Sequence, residues 1–280
     1  MSKLISANFS RLWKSRVFWV LEGISALVGM IFYGLAVMNT RNIGTDWYLG
    51  NGNYYFFLGV IYIGLVMAVF CSFYVGTEYA DGTLRNKLVV GHSRGEIYLS
   101  NLVVVFVAGL LFTMTHIVAS LCVGLPFLGG LIWESLAPVG WRMVGCVILI
   151  LCYGTIFTFF AMLDGSKSRN VIVSFSLALA IILAGLFITG RLQEPEFISR
   201  MVMQEDGSFL RQDGIPNDLY ISGTTRTIYT FIDAVLPSSQ AFRIVRREGQ
   251  FSILSIACLL GVSSAFTGVG VASFKKKDIK

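Results

Sequence analysis

Long apolar windows separated by short polar punctuation organise this chain. No charged residue occurs in residues 54–77, 97–131, 143–163, 170–190 or 251–274. Each window reaches the roughly 20 residues that cross about 30 Å of hydrocarbon as helix. None shows the polar stripe at a 3.6-residue period that a soluble core helix presents. A further window, 17–37, is interrupted only by Glu22 near its start. The pattern predicts six transmembrane helices over residues 17–37, 54–76, 97–125, 142–163, 170–190 and 251–273. The first window is longer than a signal-peptide core and no clear A-x-A site follows it, so it reads as a span.

The polar segments carry patterns of their own. In residues 1–16, Ile5, Phe9, Leu12 and Trp13 recur at i, i+4, i+7 and i+8, which predicts an amphipathic helix at the membrane interface. Between spans two and three lies TEYADGTLRNKLVVGHSRGEIYLSN, residues 77–101. Glu78 and Asp81 precede Arg85 and Lys87, the order that complements a helix dipole. Gly82 and Thr83 suit a fresh helix start; Leu84, Leu88 and Val89 supply a short apolar face. Gly91 suits a stop, and Ser93–Glu96 matches the S-x-x-E capping box that begins a new helix. The expectation is a short helix, a turn and a capped start to span three. In residues 191–250, Ile228, Phe231, Ile232 and Val235 sit at i, i+3, i+4 and i+7 and end at Pro237. They predict a short amphipathic helix on the outer leaflet, or a folded cap on the protein itself.

Charge then sets orientation. Thirteen Lys and Arg fall in the N-terminus, the second and fourth loops and the tail (Lys275, Lys276, Lys277, Lys280), against Arg41 and Arg142 in the short opposite loops. By the positive-inside rule both termini and residues 77–96 are cytoplasmic, and 191–250 is outside. The net charge of +6 reflects this rule and gives no reason to invoke nucleic acid. The five cysteines all lie in apolar windows, none with C-x-x-C spacing, so they read as buried small hydrophobes. Small residues repeat every four positions at Ser176, Ala180 and Ala184, at Ala257, Gly261 and Ala265, and at Ser264, Gly268 and Ala272. They predict close helix packing, within the bundle before a subunit interface.

The chemistry excluded is also informative. The sequence has no phosphate-cradling G-x-x-x-x-G-K-[ST], no H-E-x-x-H and no G-x-S-x-G, so no site for ATP, metal, cofactor or acyl transfer is indicated. Two ionisable residues lie inside spans, Glu22 and His116. Glu22 is near enough to the interface to reach it. His116 reads as a neutral histidine bonded within the bundle, with a proton relay or substrate contact as the alternative.

The chain resembles the membrane subunits of ATP-binding-cassette exporters of the type-2 permease class. The resemblance is carried by E78-Y-A-D-G-T-L-R85, G91-H-S-R94 and I97-Y-L-S-N, and in the outer loop by N217-D-L-Y-I-S-G-T-T-R226, Phe231 and L236-P-S-S-Q240. It implies a single all-α permease domain over 1–280, residues 77–96 forming a coupling helix that docks on a separate ATPase subunit, and short outer helices between spans five and six. It further implies pairing with a second permease copy in a bacterial plasma membrane, and export of amphipathic cargo such as antimicrobial or toxin peptides. The expected coupling residues are Glu78, Asp81, Thr83, Leu84, Arg85, Leu88 and Arg94. Glu78 is expected to meet a basic residue of the ATPase, Leu84 and Leu88 to form the apolar contact, and Arg85 and Arg94 to grip it. The competing reading is an ion-coupled transporter or membrane enzyme that uses Glu22 or His116 without an ATPase.

Overall fold

The computed structural model describes residues 1–43, 55–128, 136–203, 209–246 and 252–277. Lys280, span-end residues 54 and 251, the side chain of Arg41, and positions 204–208 and 247–250 of the outer segment lie outside the described residues. The elements run α1 (Ser2–Lys14), α2 (Arg16–Ile43), α3 (Gly59–Ala80), α4 (Thr83–Val89), α5 (Arg94–Leu128), α6 (Leu136–Leu163) and α7 (Lys167–Gln193). They continue with β1 (Phe197–Met203), β2 (Phe209–Pro216), α8 (Gly223–Val235), α9 (Pro237–Arg246) and α10 (Ile253–Lys276).

Among the described residues six helices are long and apolar enough to cross a membrane: Arg16–Met38, Tyr55–Ala80, Arg94–Gly124, Val139–Leu163, Lys167–Gln193 and Ile253–Lys276. The protein is an all-α polytopic membrane protein, as its hydropathy pattern requires. Spans α3 and α6 are the most buried and form the centre; α7 and α10 turn most of their surface outward. The core is aromatic and dry, with Phe70, Tyr153 and Phe157 fully buried.

Close approach inside the bundle is achieved at single glycines. A Cβ on Gly29 would lie 2.6 Å from the carbonyl oxygen of His116, so α2 presses on the backbone of α5. A Cβ on Gly270 would strike the ring of Tyr98, and one on Gly185 would strike Ser238. The three periodic small-residue stripes behave differently. Ser176, Ala180 and Ala184, and likewise Ala257, Gly261, Ser264, Ala265, Gly268 and Ala272, are all exposed. The expectation that they pack within the bundle is corrected: α7 and α10 turn those faces away from it.

The outer segment contains an element the sequence reading lacked. Strands β1 and β2 pair antiparallel, from Phe197 opposite Pro216 to Met203 opposite Phe209, with an irregularity between Ile198 and Arg200. Gly214, at φ +78°, supplies a left-handed residue near the end of β2. Helix α8 shows the expected amphipathicity, its Ile228 and Phe231 outward and Asp233 buried. Helix α9 is buried along nearly all its length, including Ser238, Ser239 and Gln240. Its start is stitched to span five by Ser238 Oγ donating to the Ile181 carbonyl at 2.5 Å. The Asp233 carboxylate, held by Arg243 at 2.5 Å and by Thr189 at 3.3 Å, ties α8, α9 and α7 together.

The α2–α5 contact makes a direct prediction. Gly29→Ala forces two backbones apart and is expected to lower stability by about 1–3 kcal/mol. Gly34→Ala, whose added carbon meets nothing within 4 Å, is the control. Thermal unfolding in detergent separates the two; equal stability would mean that α2 and α5 are not packed this tightly.

Candidate functional site

Residues 77–96 build a compact projection from the bundle end. Span α3 stops at Ala80, and Gly82 at φ +65° folds the chain back, a conformation that costs an L side chain energy. Helix α4 is only two turns long. It ends in two hydrogen bonds, Gly91 N–H to the Leu88 carbonyl (3.0 Å) and His92 N–H to the Lys87 carbonyl (3.1 Å), with Gly91 at φ +98°. That is a Schellman stop, the termination glycine permits. Span α5 then begins on a reciprocal cap: Ser93 N–H donates to Glu96 Oε2 (3.1 Å) and Glu96 N–H to Ser93 Oγ (3.2 Å). Start, stop and restart are therefore all local.

The interior of this projection is polar. Glu78 is fully buried and its carboxylate receives both Arg11 of α1 and Lys87 of α4. Its other oxygen accepts from Asn101 Nδ2 of α5 at 2.8 Å. Asn8 of α1 completes the node, donating to Ser100 Oγ (3.1 Å) and Asn101 Oδ1 (3.2 Å) and accepting from Lys87 Nζ (2.8 Å). Tyr74 donates to the Asn8 carbonyl at 2.7 Å, and the Arg11 guanidinium lies 3.9 Å from the Tyr74 ring centroid. Loss of water draws the Lys87 amine below its ordinary range, while Glu78 pulls the other way. A second set of bonds reaches the last span. Arg94 donates to the carbonyls of Phe274 (3.1 Å) and Lys277. Lys277 Nζ donates to Tyr79 Oη (2.8 Å), which in turn donates to the Met162 carbonyl.

These positions revise the roles expected of the individual residues. Glu78 does not present its carboxylate to a partner, because α1 packs over it and supplies Arg11. Leu84 is 1 % exposed and belongs to the core, and Leu88 is half-buried. Arg94 bonds inward to carbonyls of α10 and the residue after it. The fold-back at Gly82 is the cause, since it turns positions 84, 87 and 88 toward the bundle. The surface left outside carries Asp81, Arg85 and Asn86, and two valines, Val89 at 79 % and Val90 at 77 % exposure. Thr83 lies at the rim, its hydroxyl donating to the Glu78 carbonyl at 3.2 Å.

Asn8, Arg11, Lys87 and Asn101 were missed as functional candidates. Asn101 left a signal, as the sole asparagine of an otherwise apolar span. In α1 the buried line is Leu4–Asn8–Leu12; of the expected Ile5, Phe9, Leu12 and Trp13 it keeps Leu12, while Ile5 and Phe9 are half-buried and Trp13 is exposed. The two intramembrane residues do not meet: no hydrogen bond or ion pair joins them among the described residues. His116 Nδ1 is bonded to Tyr62 Oη at 2.8 Å, whereas Glu22 lies with Thr115 on the lining of a separate groove.

The node predicts an asymmetry between its charges. Glu78→Gln strands two half-buried cations beside a buried amide and is expected to cost about 3 kcal/mol. Lys87→Met costs less, because Arg11 still serves Glu78, and adding it to Glu78→Gln restores part of the loss. Unfolding of the two single variants and the double variant measures the coupling; strictly additive losses would show that Glu78 and Lys87 do not interact.

Residues 4–187 match the family model described as ABC-2 family transporter protein. That interval includes the projection, the polar node, the first four spans and most of the fifth. Among curated proteins none matches the sequence significantly. The match covers well over half of the 280 residues, and the chain belongs to the ABC-2 transporter family, as a membrane subunit of an ABC transporter.

Proposed function

We propose that this chain is the permease of an exporter, that it works as one of a pair, and that a separate ATPase subunit docks on the outward face of α4. The observation that carries the reading is the exposure of Val89 and Val90, two adjacent apolar side chains on a helix with its own stop. Exposed valines flanked by Arg85 and Asn86 offer an apolar anchor with a polar rim, the pattern of an interface whose energy sits in few residues. Behind them the polar node turns contact into motion. Displacement of α4 acts through Lys87 and Glu78 on α3, through Arg11 and Asn8 on α1, and through Asn101 on α5. Arg94 extends the linkage to α10. The cargo is amphipathic or hydrophobic, with peptides the class the family resemblance suggests. The outer hairpin with α8 and α9 caps the pathway.

In this reading α4 is cytoplasmic and the hairpin is outside. In a cysteine-free background, new cysteines at Ser199 and Gln212 are expected to react with membrane-impermeant reagents in intact cells, and one at Asn86 only after lysis. The reverse pattern would invert the orientation.

The docking surface has its own test. Val89→Asp with Val90→Asp is expected to weaken retention of the ATPase subunit about tenfold or more and to stop transport. Thermal stability should hardly change, because both side chains already face water. Undiminished ATPase retention and transport would place the interface elsewhere.

A further inference from the structure

The bundle end that carries α1 and α4 also holds a membrane-facing groove that the coupling geometry does not use. At the α1–α2 junction, Ser15 is extended and Trp19 Nε1 donates to the Trp13 carbonyl at 2.9 Å. Three rings gather there: Phe18 meets Trp13 edge-on at 5.6 Å and Trp19 at 5.3 Å, and the two tryptophans lie 6.0 Å apart. Trp13 and Trp19 stay half-exposed. One helical turn beyond Trp19, Glu22 lies on the same groove, which continues along Ala26 of α2 and Leu111 and Thr115 of α5 and measures about 440 Å³.

Glu22 is the anomaly. The protein has three buried carboxylates among its described residues, and two of them have a cation: Glu78 has Arg11 and Lys87, and Asp233 has Arg243. Glu22 is only 9 % exposed, no ion pair reaches it, and its Oε2 is buried without a hydrogen-bond partner. A carboxylate held within a span without a counter-charge is expensive and marks a site. The groove lining supplies a hydroxyl and aromatic faces but no basic side chain.

A cation that completes this site comes from outside the fold, and the lining limits what it can be. An inorganic ion such as Ca²⁺ requires some six to eight oxygens, and here one carboxylate and one hydroxyl sit in an apolar wall. An organic ammonium instead suits a carboxylate flanked by indole faces, where cation–π attraction adds to charge. A zwitterionic lipid headgroup would bring a phosphate for which the lining has no partner. We propose that this groove captures a cationic amphiphile from the bilayer, its ammonium on Glu22 beside Trp13 and Trp19 and its apolar body along Ala26 and Leu111. As a statement about cargo this deepens the exporter reading and rests on it; as a statement about binding it stands on the groove alone.

The test uses the full chain in phosphatidylcholine nanodiscs, titrated with a dodecyltrimethylammonium brominated along its chain, with tryptophan fluorescence as the readout. Saturable quenching is expected. It should shift to about tenfold higher concentration or more in Glu22→Gln, and vanish in Ala26→Phe, which fills the groove without touching the charge. A brominated alcohol of equal length should give only non-saturating quenching, the same in all three proteins. Equal saturation in native and Glu22→Gln protein, or saturation by the alcohol, would overturn the proposal. ATPase retention by the Glu22→Gln chain reports separately on the exporter reading, because Glu22 takes no part in the α4 surface.

Discussion

The bundle end facing the proposed partner depends on one fully buried carboxylate. Removing a charge from water costs several kcal/mol and is sustained only where every lone pair is met. Glu78 meets that condition with groups from three separate elements: Arg11 from α1, Lys87 from α4 and Asn101 from α5. Two of these elements bring little apolar surface at this level: α1 buries Leu4 and Leu12, and α4 buries Leu84 alone. Helix α4 is too short to be stable by itself, and α1 lies across the others. The ionic node gives both a fixed place. A buried ion pair of this kind is weak as a source of stability and strong as a specifier of position, which suits a segment proposed to transmit displacement.

What the sequence made legible was whatever is decided locally. The six spans follow from windows too apolar and too long for any other environment. The capping box at Ser93–Glu96 and the stop at Gly91 needed only neighbouring residues to be read. Glu78 was read as facing outward because the residue that meets it on α1 lies 67 positions away, and sequence spacing cannot show that a helix folds back over it. Leu84 and Lys87 went the same way, since the turn at Gly82 decides which side of α4 is inside. The β1–β2 hairpin escaped because its exposed Phe197, Met201 and Leu210 do not give the clean alternation of a half-buried sheet. Small-residue stripes were legible as stripes but not as to what they face.

The three buried acids show two answers to the same electrostatic problem. Glu78 and Asp233 are neutralised from within, and each thereby fastens elements together. Glu22 has no counter-charge among the described residues, and its Oε2 has no hydrogen-bond partner. One residue type thus serves as a rivet in two places and as an open socket in a third, and only the surrounding partners distinguish them. Periodicity cannot make that distinction, because all three appear in the sequence as acids near helix ends.

The burial of α9 also bears on how the protein is made. Its Ser238, Ser239 and Gln240 cannot rest in lipid, and the docking surface that shelters them, along α7 near Ile181 and Gly185, exists only once span five is in place. Membrane insertion of individual helices and their later association are separable stages. Helix α9 belongs to the second stage: tethered between spans five and six, it finds its seat against helices already inserted. Assembly of this end of the bundle is therefore ordered: a chain without span five would leave the buried hydroxyls and amide of α9 with no surface to shelter them.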